Sequence, residues 1–297
     1  MKKIIIAIFS ILLCFGTAVA EQIDVIVTGS KTGSTNQVAQ LIAKDSEQGH
    51  IHGLTLNVIS PGDACKGFVL VSQKTDNKPF ITHYENFYQL VAKLKNDPTC
   101  PYVSFENAKP IVSTVQGLYL VVKNTKKKSI ENFSKEILKI GYSSDSEVER
   151  GWHGQMNQAF GQDHMFVGYS GSGSLKKGLA SEEIDAIWTT YSHFLSLKEI
   201  EDNYTIVLRT MDELDVNAPI AAKKFKNEKL TRAFLSTWYV FNDQQDVAKR
   251  ISKSLEKDYK QKKGNFGAYA NQKKLILFFD QKTQLKMEKS LSWAQYQ

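Results

Sequence analysis

Cysteine is scarce in this 297-residue sequence, which has three. None forms a C-x-x-C pair and none has zinc spacing, so a dithiol redox motif and a structural zinc site are excluded. Proline is rarer than usual at six residues, and glycine, at 18, is not enriched, so nothing points to disorder. Past the N-terminus no apolar run reaches the roughly 18 residues of a membrane helix. No nucleic-acid motif accompanies the lysine-rich runs Lys126–Lys128 and Lys257–Gly264, which read as a turn and a solvated helix end. A P-loop fails, because Gly29 to Gly33 is too short and no Lys follows. His50 and His52 form an H-x-H pair without a third ligand. Gly168-Tyr169-Ser170-Gly171-Ser172 resembles a nucleophile elbow, but its fifth residue is Ser and no His–acid pairing is legible. His153 and His164 read as surface or packing residues. An enzyme is therefore the weaker class, and no cofactor or metal is expected.

What is present begins with an export signal. Lys2 and Lys3 precede an apolar run from Ile4 to Phe15, and Ala18-Val19-Ala20 is a small-x-small cleavage site. Residues 1–20 are thus expected to be removed, leaving a periplasmic chain that starts at Glu21. Leu13 before Cys14 argues against a lipoprotein. Losing Lys2 and Lys3 lowers the formal net charge from +7 to about +5, a mild and dispersed excess. In an oxidising compartment Cys65 and Cys100 suggest one disulfide, the alternative being two buried free thiols.

The stretch Ile23–Glu47 organises the rest. Ile23, Val25 and Val27 read as a strand. Gly29, Ser30, Gly33, Ser34 and Thr35 then break the pattern, and Val38, Leu41 and Ile42 recur at helical spacing. Ser34 and Gln37 stand three apart, as in a capping box. Such a turn aims free backbone N–H groups and a helix dipole at one spot, which suits an anion. Taken alone, an ordinary capped helix is the simpler explanation.

Further along, strands are expected at Leu54–Ser60, Gly67–Ser72, Gly117–Lys123, Lys139–Tyr142, His164–Tyr169, Ala186–Thr190 and Thr205–Arg209. Helices are expected at Phe87–Leu94, after Ser129 through Phe133, Ile137 and Leu138, from the Ser144/Glu147 capping box to Phe160, and at Leu175–Leu179. Beyond residue 215 the pattern turns helical, at Lys229–Trp238, Val247–Tyr259 and within Gln281–Ala294. Leu275–Phe279 fits a short strand or a buried turn. Alternating strands and helices argue for parallel α/β sheets. Three small-residue loops, at 29–35, 143–146 and 170–174, join strand to helix, where open α/β sheets bind ligands. Tyr142, Tyr169 and Trp188 are candidate cleft aromatics, although core packing suits Trp188 better.

These motifs, in order, resemble the substrate-binding receptors of tripartite tricarboxylate transporters, a branch of the periplasmic binding proteins. Gly33-Ser34-Thr35-Asn36-Gln37-Val38-Ala39-Gln40-Leu41 stands for that family's G-G-T-D-x-x-A-R-L, and Ile59–Ala64 for its N-R-P-G-A-G turn. Gly141–Ser144 resembles its Y-G-S-S segment. Val167–Ser172, with Leu175, Leu179, Ile184 and Asp185, resembles its V-P-Y-K-G-S-x-x-A-L-x-x-L-L-x-G-x-(IV)-D segment. Trp238–Phe241 resembles W-Y-G-L-F. Asn36 and Gln40 depart from the family's acid and Arg. The resemblance implies a type II two-lobed fold joined by two crossovers, near 117–123 and 205–214. Lobe I would be 21–120 and 212–297, and lobe II 121–211. It implies a monomeric receptor holding a small carboxylate through backbone N–H groups and hydroxyls, and delivering it to a membrane permease. Candidate ligand residues are Ser30, Gly33, Ser34, Thr35, Ser143, Ser144, Tyr169, Gly171, Ser172 and Asp185. A receptor for a tripartite ATP-independent importer and a ligand sensor remain alternatives.

Overall fold

Two mixed sheets divide the chain. The computed structural model describes residues 20–29, 31, 33–85, 99–126, 129–142, 147–169, 172–212, 214–243, 246–284 and 286. The first sheet holds β1 (Glu21–Ile26), β2 (Leu54–Ile59), β3 (Phe80–Glu85), β4 (Lys109–Gly117), β10 (Ala233–Phe241) and β11 (Ile276–Phe278), ordered β11-β4-β10-β3-β1-β2. The second holds β5 (Tyr119–Lys123), β6 (Lys139–Tyr142), β7 (Met165–Gly168), β8 (Ala186–Thr189) and β9 (Tyr204–Arg209), ordered β7-β6-β8-β5-β9.

Apolar faces explain the layering. The helices α1 (Ser34–Glu47), α7 (Val247–Gln261) and α8 (Asn265–Gln272) bury Ile42, Ile251, Leu255 and Phe266 against Ile23, Val25 and Val240 of the first sheet. On its other face α2 (Ala64–Ser72) packs Phe68 and Val71 against Tyr239 and Phe105. In the second sheet α3 (Glu147–Phe160) covers one face with Trp152 and Met156. The other face is covered by α4 (Ser172–Ala180) and α5 (Tyr191–Lys198), through Leu175, Leu179 and Leu197.

The chain crosses between sheets twice. The first crossing is abrupt: β4 ends at Gly117 and β5 begins at Tyr119. The second runs from Arg209 to Ala233 and includes α6 (Ala221–Phe225). Thr210 ties the two crossings together. Its hydroxyl accepts from Leu118 N–H at 2.8 Å and donates to the Arg232 carbonyl at 2.6 Å. Further contacts bridge the lobes. Lys273 Nζ, just past α8, lies 2.7 Å from Glu199 Oε1 and 3.2 Å from Ser196 Oγ of α5. Ser192 donates to Gln116 Oε1 at 3.3 Å.

Several expectations change. Gly67–Ser72 is helical, as part of α2, because Asp63 caps its N-terminus, accepting from Lys66 N–H at 2.7 Å. A Cβ at Gly67 would meet the Val27 carbonyl oxygen at 2.7 Å, so the missing side chain lets α2 lie on the end of β1. Lys229–Trp238 is not a helix: Ala233–Phe241 is β10, hydrogen-bonded on both sides to β3 and β4. Leu230, Phe234 and Trp238 recur every four residues, but the sheet claims the aromatic run. After Ser129 there is only a 3-10 turn, Asn132–Ser134; Asn132 Oδ1 accepts from Ser129 N–H, and Ile137, past the turn, is 62% exposed. The sheets are mixed rather than parallel. β1–β2, β1–β3, β6–β7 and β6–β8 pair parallel, while the crossing strands β4, β5, β9 and β10 run antiparallel to their neighbours. The expected helix Phe87–Leu94 and the Ser144 side of the second capping box fall outside the described residues, as does much of the C-terminal helix expected within Gln281–Ala294. No helix of the described residues is long and apolar enough to cross a membrane.

Candidate functional site

A cavity of about 520 Å³ opens between the two sheets. The first lobe contributes Thr28, Gly33–Thr35, Asp63, His83, Ser113, Thr114 and Ser236, and the second Tyr142, Ser172, Trp188–Thr190, Ser192 and His193. Four helices present their N-termini: α1 through Ser34 and Thr35, α2 through Ala64 and Cys65, α4 through Ser172, and α5 through Thr190 and Ser192.

The first turn of α1 corrects the capping-box expectation. Its N-cap is Gly33, in extended conformation, and no side chain caps it. Gln37 N–H closes the first helical bond onto the Gly33 carbonyl at 3.1 Å. Ser34 is already inside the helix, so its hydroxyl is not spent on the backbone and instead lines the cavity. The α5 N-cap, Thr190, likewise makes no side-chain capping bond; its hydroxyl meets Ser192 Oγ at 3.0 Å. Of the four helix ends at the cavity, α2 carries a capping carboxylate, Asp63.

Charge is otherwise sparse. Among the described residues no Lys or Arg lines the cavity. Its two histidines are neutral at pH 7. Burial pushes His83 down to about 3 from the ordinary 6.5. Burial also pushes His193 down to about 4, helped by Lys176 and Lys273 nearby. His83 Nε2 contacts Ser236 Oγ, and His193 Nδ1 lies 3.3 Å from Thr189 Oγ1. Among the described residues, three buried polar atoms of the lining have no protein partner: His83 Nδ1, Trp188 Nε1 and Thr114 Oγ1. His83 and Trp188 are 2% and 3% exposed. Such orphaned atoms cost stability unless something else satisfies them.

The histidines also set a pH dependence. Each folded pKa lies below the unfolded value of 6.5, so the unfolded chain binds more protons between about pH 3 and 6.5. Their contribution is complete above pH 6.5 and is lost as pH falls toward 4 and then 3. The expected result is a melting temperature that drops from pH 7 to pH 4.5, with a shallower drop in His83→Gln. An equal drop in that variant would contradict the assignment.

The candidate residues fall into three groups. Gly33, Ser34, Thr35 and Ser172 meet in the cavity. Ser30, Ser143, Ser144 and Gly171 lie outside the described residues. Tyr169 and Asp185 stand elsewhere. The Tyr169 ring packs beside Gly178, where a Cβ would clash with its hydroxyl oxygen. Asp185 precedes β8, at the end away from the cavity, and Oδ2 accepts from Lys139 N–H at 2.9 Å. Cys65 and Cys100 are joined in a disulfide with a Cα separation of 4.4 Å. Tyr142 lines the cavity, as does Trp188, which is also core. His153 stacks on Phe166 at 3.8 Å between ring centroids, and His164 Nδ1 accepts from Leu138 N–H, so both are packing residues. His50 pairs with Asp258 at 2.9 Å. Among the described residues no three His, Cys, Asp or Glu side chains could hold a metal ion.

Sequence reasoning missed Thr28, His83, Thr114, Gln116, Ser192, His193 and Ser236. One signal was available. Thr189-Thr190 followed by Tyr191–Lys198 is a further strand–polar turn–helix unit. The strand residues carry no local signal, since register alone sets Trp238 opposite His83.

No family model matches the chain, and no curated protein matches it in sequence. Solved structures do match in fold. One described as a periplasmic transporter is 15% identical, with a TM-score of 0.72 over 95% of this chain and 96% of its own. The periplasmic binding protein BugD is 13% identical, with a TM-score of 0.69 over 91% of this chain and 94% of its own. MatC from Rhodopseudomonas palustris, solved with bound malate, is 14% identical, with a TM-score of 0.64 over 86% of this chain and 90% of its own. At these identities the likeness establishes the fold, that of the two-lobed α/β periplasmic binding proteins.

Proposed function

We propose that the chain is a periplasmic solute-binding receptor that captures a small carboxylate between its lobes and delivers it to an integral membrane permease. One observation carries this reading. Four helix N-termini meet in a single interlobe cavity with no lysine or arginine among the described lining residues. Backbone N–H groups and hydroxyls at helix starts bind anions without a counter-charge. The orphaned His83 Nδ1 and Trp188 Nε1 point independently to a ligand with polar atoms. The motif resemblance to tripartite tricarboxylate receptors and the malate held by MatC support the same class. The role is binding rather than catalysis, and the receptor acts as a monomer.

Export belongs to this proposal. Cleavage after Ala20 gives a secreted chain whose intact mass starts at Glu21; a full-length, membrane-retained product would refute it.

The test is a melting-temperature screen of organic acids, amino acids and sugars. Binding to the folded state alone adds about 2.7 kcal/mol at a hundredfold excess over Kd, a rise of several degrees for a chain of this size. Thr35→Leu and Ser172→Leu are expected to abolish the rise while leaving the unliganded protein folded. A rise with sugars or cations alone would defeat the carboxylate reading. Normal binding by both variants would place the site elsewhere.

A further inference from the structure

The polar helix ends form only part of the cavity wall. Strand residues add further polar groups, and beside them lies a hydrocarbon face: Val38 of α1, Val112 of β4, Trp238 of β10, Phe266 of α8, Leu275, and Leu277 of β11. All six belong to the first lobe's main core or pack against it, so the cavity runs under the α1 N-terminus into the space between that sheet and α8. Polar side chains border this compartment, with Thr114 opposite Leu277 and His83 opposite Trp238, but none of them carries a positive charge.

We infer that the ligand is a monocarboxylate with a hydrocarbon or aromatic body. The inference rests on the receptor reading above and narrows its ligand. A single carboxylate takes the helix ends and its body fills the apolar compartment. A second carboxylate has no counter-charge there. No Lys or Arg is among the described lining residues, both lining histidines are neutral, and the charged side chain present is Asp63, an acid. Burying an ionised carboxylate against Val112, Phe266 and Leu277 without a partner is strongly unfavourable. A cavity of about 520 Å³ falls in the size range of ligands larger than a four-carbon acid. Trp188 from one lobe and Trp238 from the other supply aromatic surface to the same space.

Titration calorimetry with two series separates the possibilities. The first is the straight-chain monocarboxylates from three to eight carbons, and the second is the α,ω-dicarboxylates of the same lengths. Each buried methylene is expected to tighten binding about fourfold, and each dicarboxylate to bind at least tenfold more weakly than the monoacid of its length. Leu277→Asn, on an edge strand, is expected to flatten the chain-length dependence; an unchanged slope in the folded variant would overturn the placement. Val112→Thr gives a second probe of the same wall. Dicarboxylates that bind tighter than monoacids, or affinities flat with chain length, would overturn the inference and leave the receptor reading intact. Binding of sugars with no acid of either series would overturn both.

Discussion

Reducing the Cys65–Cys100 disulfide is expected to lower the stability of the first lobe by about 4 kcal/mol. The bond closes a loop of 35 residues, and the loop-entropy relation gives that figure for such a length. What it joins explains why the effect reaches the site. Cys65 sits in the first turn of α2, which lines the cavity. Cys100 leads into the segment whose Val103 and Phe105 pack on Tyr239. The Phe105 ring lies 5.1 Å from those of Tyr239 and Phe241. The bond is the covalent tie between that segment and α2. Melting should fall by roughly 10 °C in reductant or in the Cys65→Ala/Cys100→Ala variant. Denatured, unreduced mature protein should release no titratable thiol. Two free thiols, or a melt indifferent to reductant, would contradict the prediction.

Asp45→Ala is the second large effect, with an expected loss of about 3 kcal/mol. Asp45 is 0% exposed, in the last turns of α1, yet it caps a different helix. Oδ1 accepts from the Asn265 side-chain amide at 2.7 Å, and Oδ2 from Phe266 N–H at 2.9 Å. Asn265 N–H donates to Oδ1 as well. The α8 N-cap itself, Gly264, has positive φ and no side chain to offer. Alanine therefore strands buried donors at the α8 N-terminus and removes a cap, at typical costs of about 1–3 and 0.5–2 kcal/mol respectively. Phe266 and Tyr269 of α8 line the cavity, so the variant should also weaken ligand binding. The denaturation midpoint should fall with the slope unchanged, and Asp45→Asn, which keeps one acceptor oxygen, should lose about half as much. A midpoint within error of the parent would show the cap to be dispensable.

Local pattern carried the first unit of the fold. β1 and α1 were legible because Ile23, Val25 and Val27 alternate into the core while Val38, Leu41 and Ile42 recur at helical spacing and reach the same core. Short apolar runs were less legible. Residues 67–72 fit a strand or a helix by pattern alone, and Asp63 as N-cap decides for α2. At β10, Lys229–Trp238 read as part of a helical stretch, but hydrogen bonds from both β3 and β4 fix an extended chain. Within the site, the helix-start residues Gly33, Ser34, Thr35 and Ser172 were visible because their chemistry is local. Thr28, His83 and Ser236 were not. Their neighbours come from strands far apart in sequence, and only the sheet register brings them together. The capping box at Ser34 and Gln37 had the right spacing, but the helix starts one residue earlier than it requires.

In the proposed receptor a small carboxylate sits at the helix N-termini between the lobes. Amide chemical-shift perturbation, with the acid that most raises the melting temperature, tests it most directly. The largest shifts are expected on the backbone amides of Ser34, Thr35, Ser172 and Ser192, with the Trp188 indole N–H moving alongside them. An acid that stabilises the protein while those amides and that indole stay in place would contradict it.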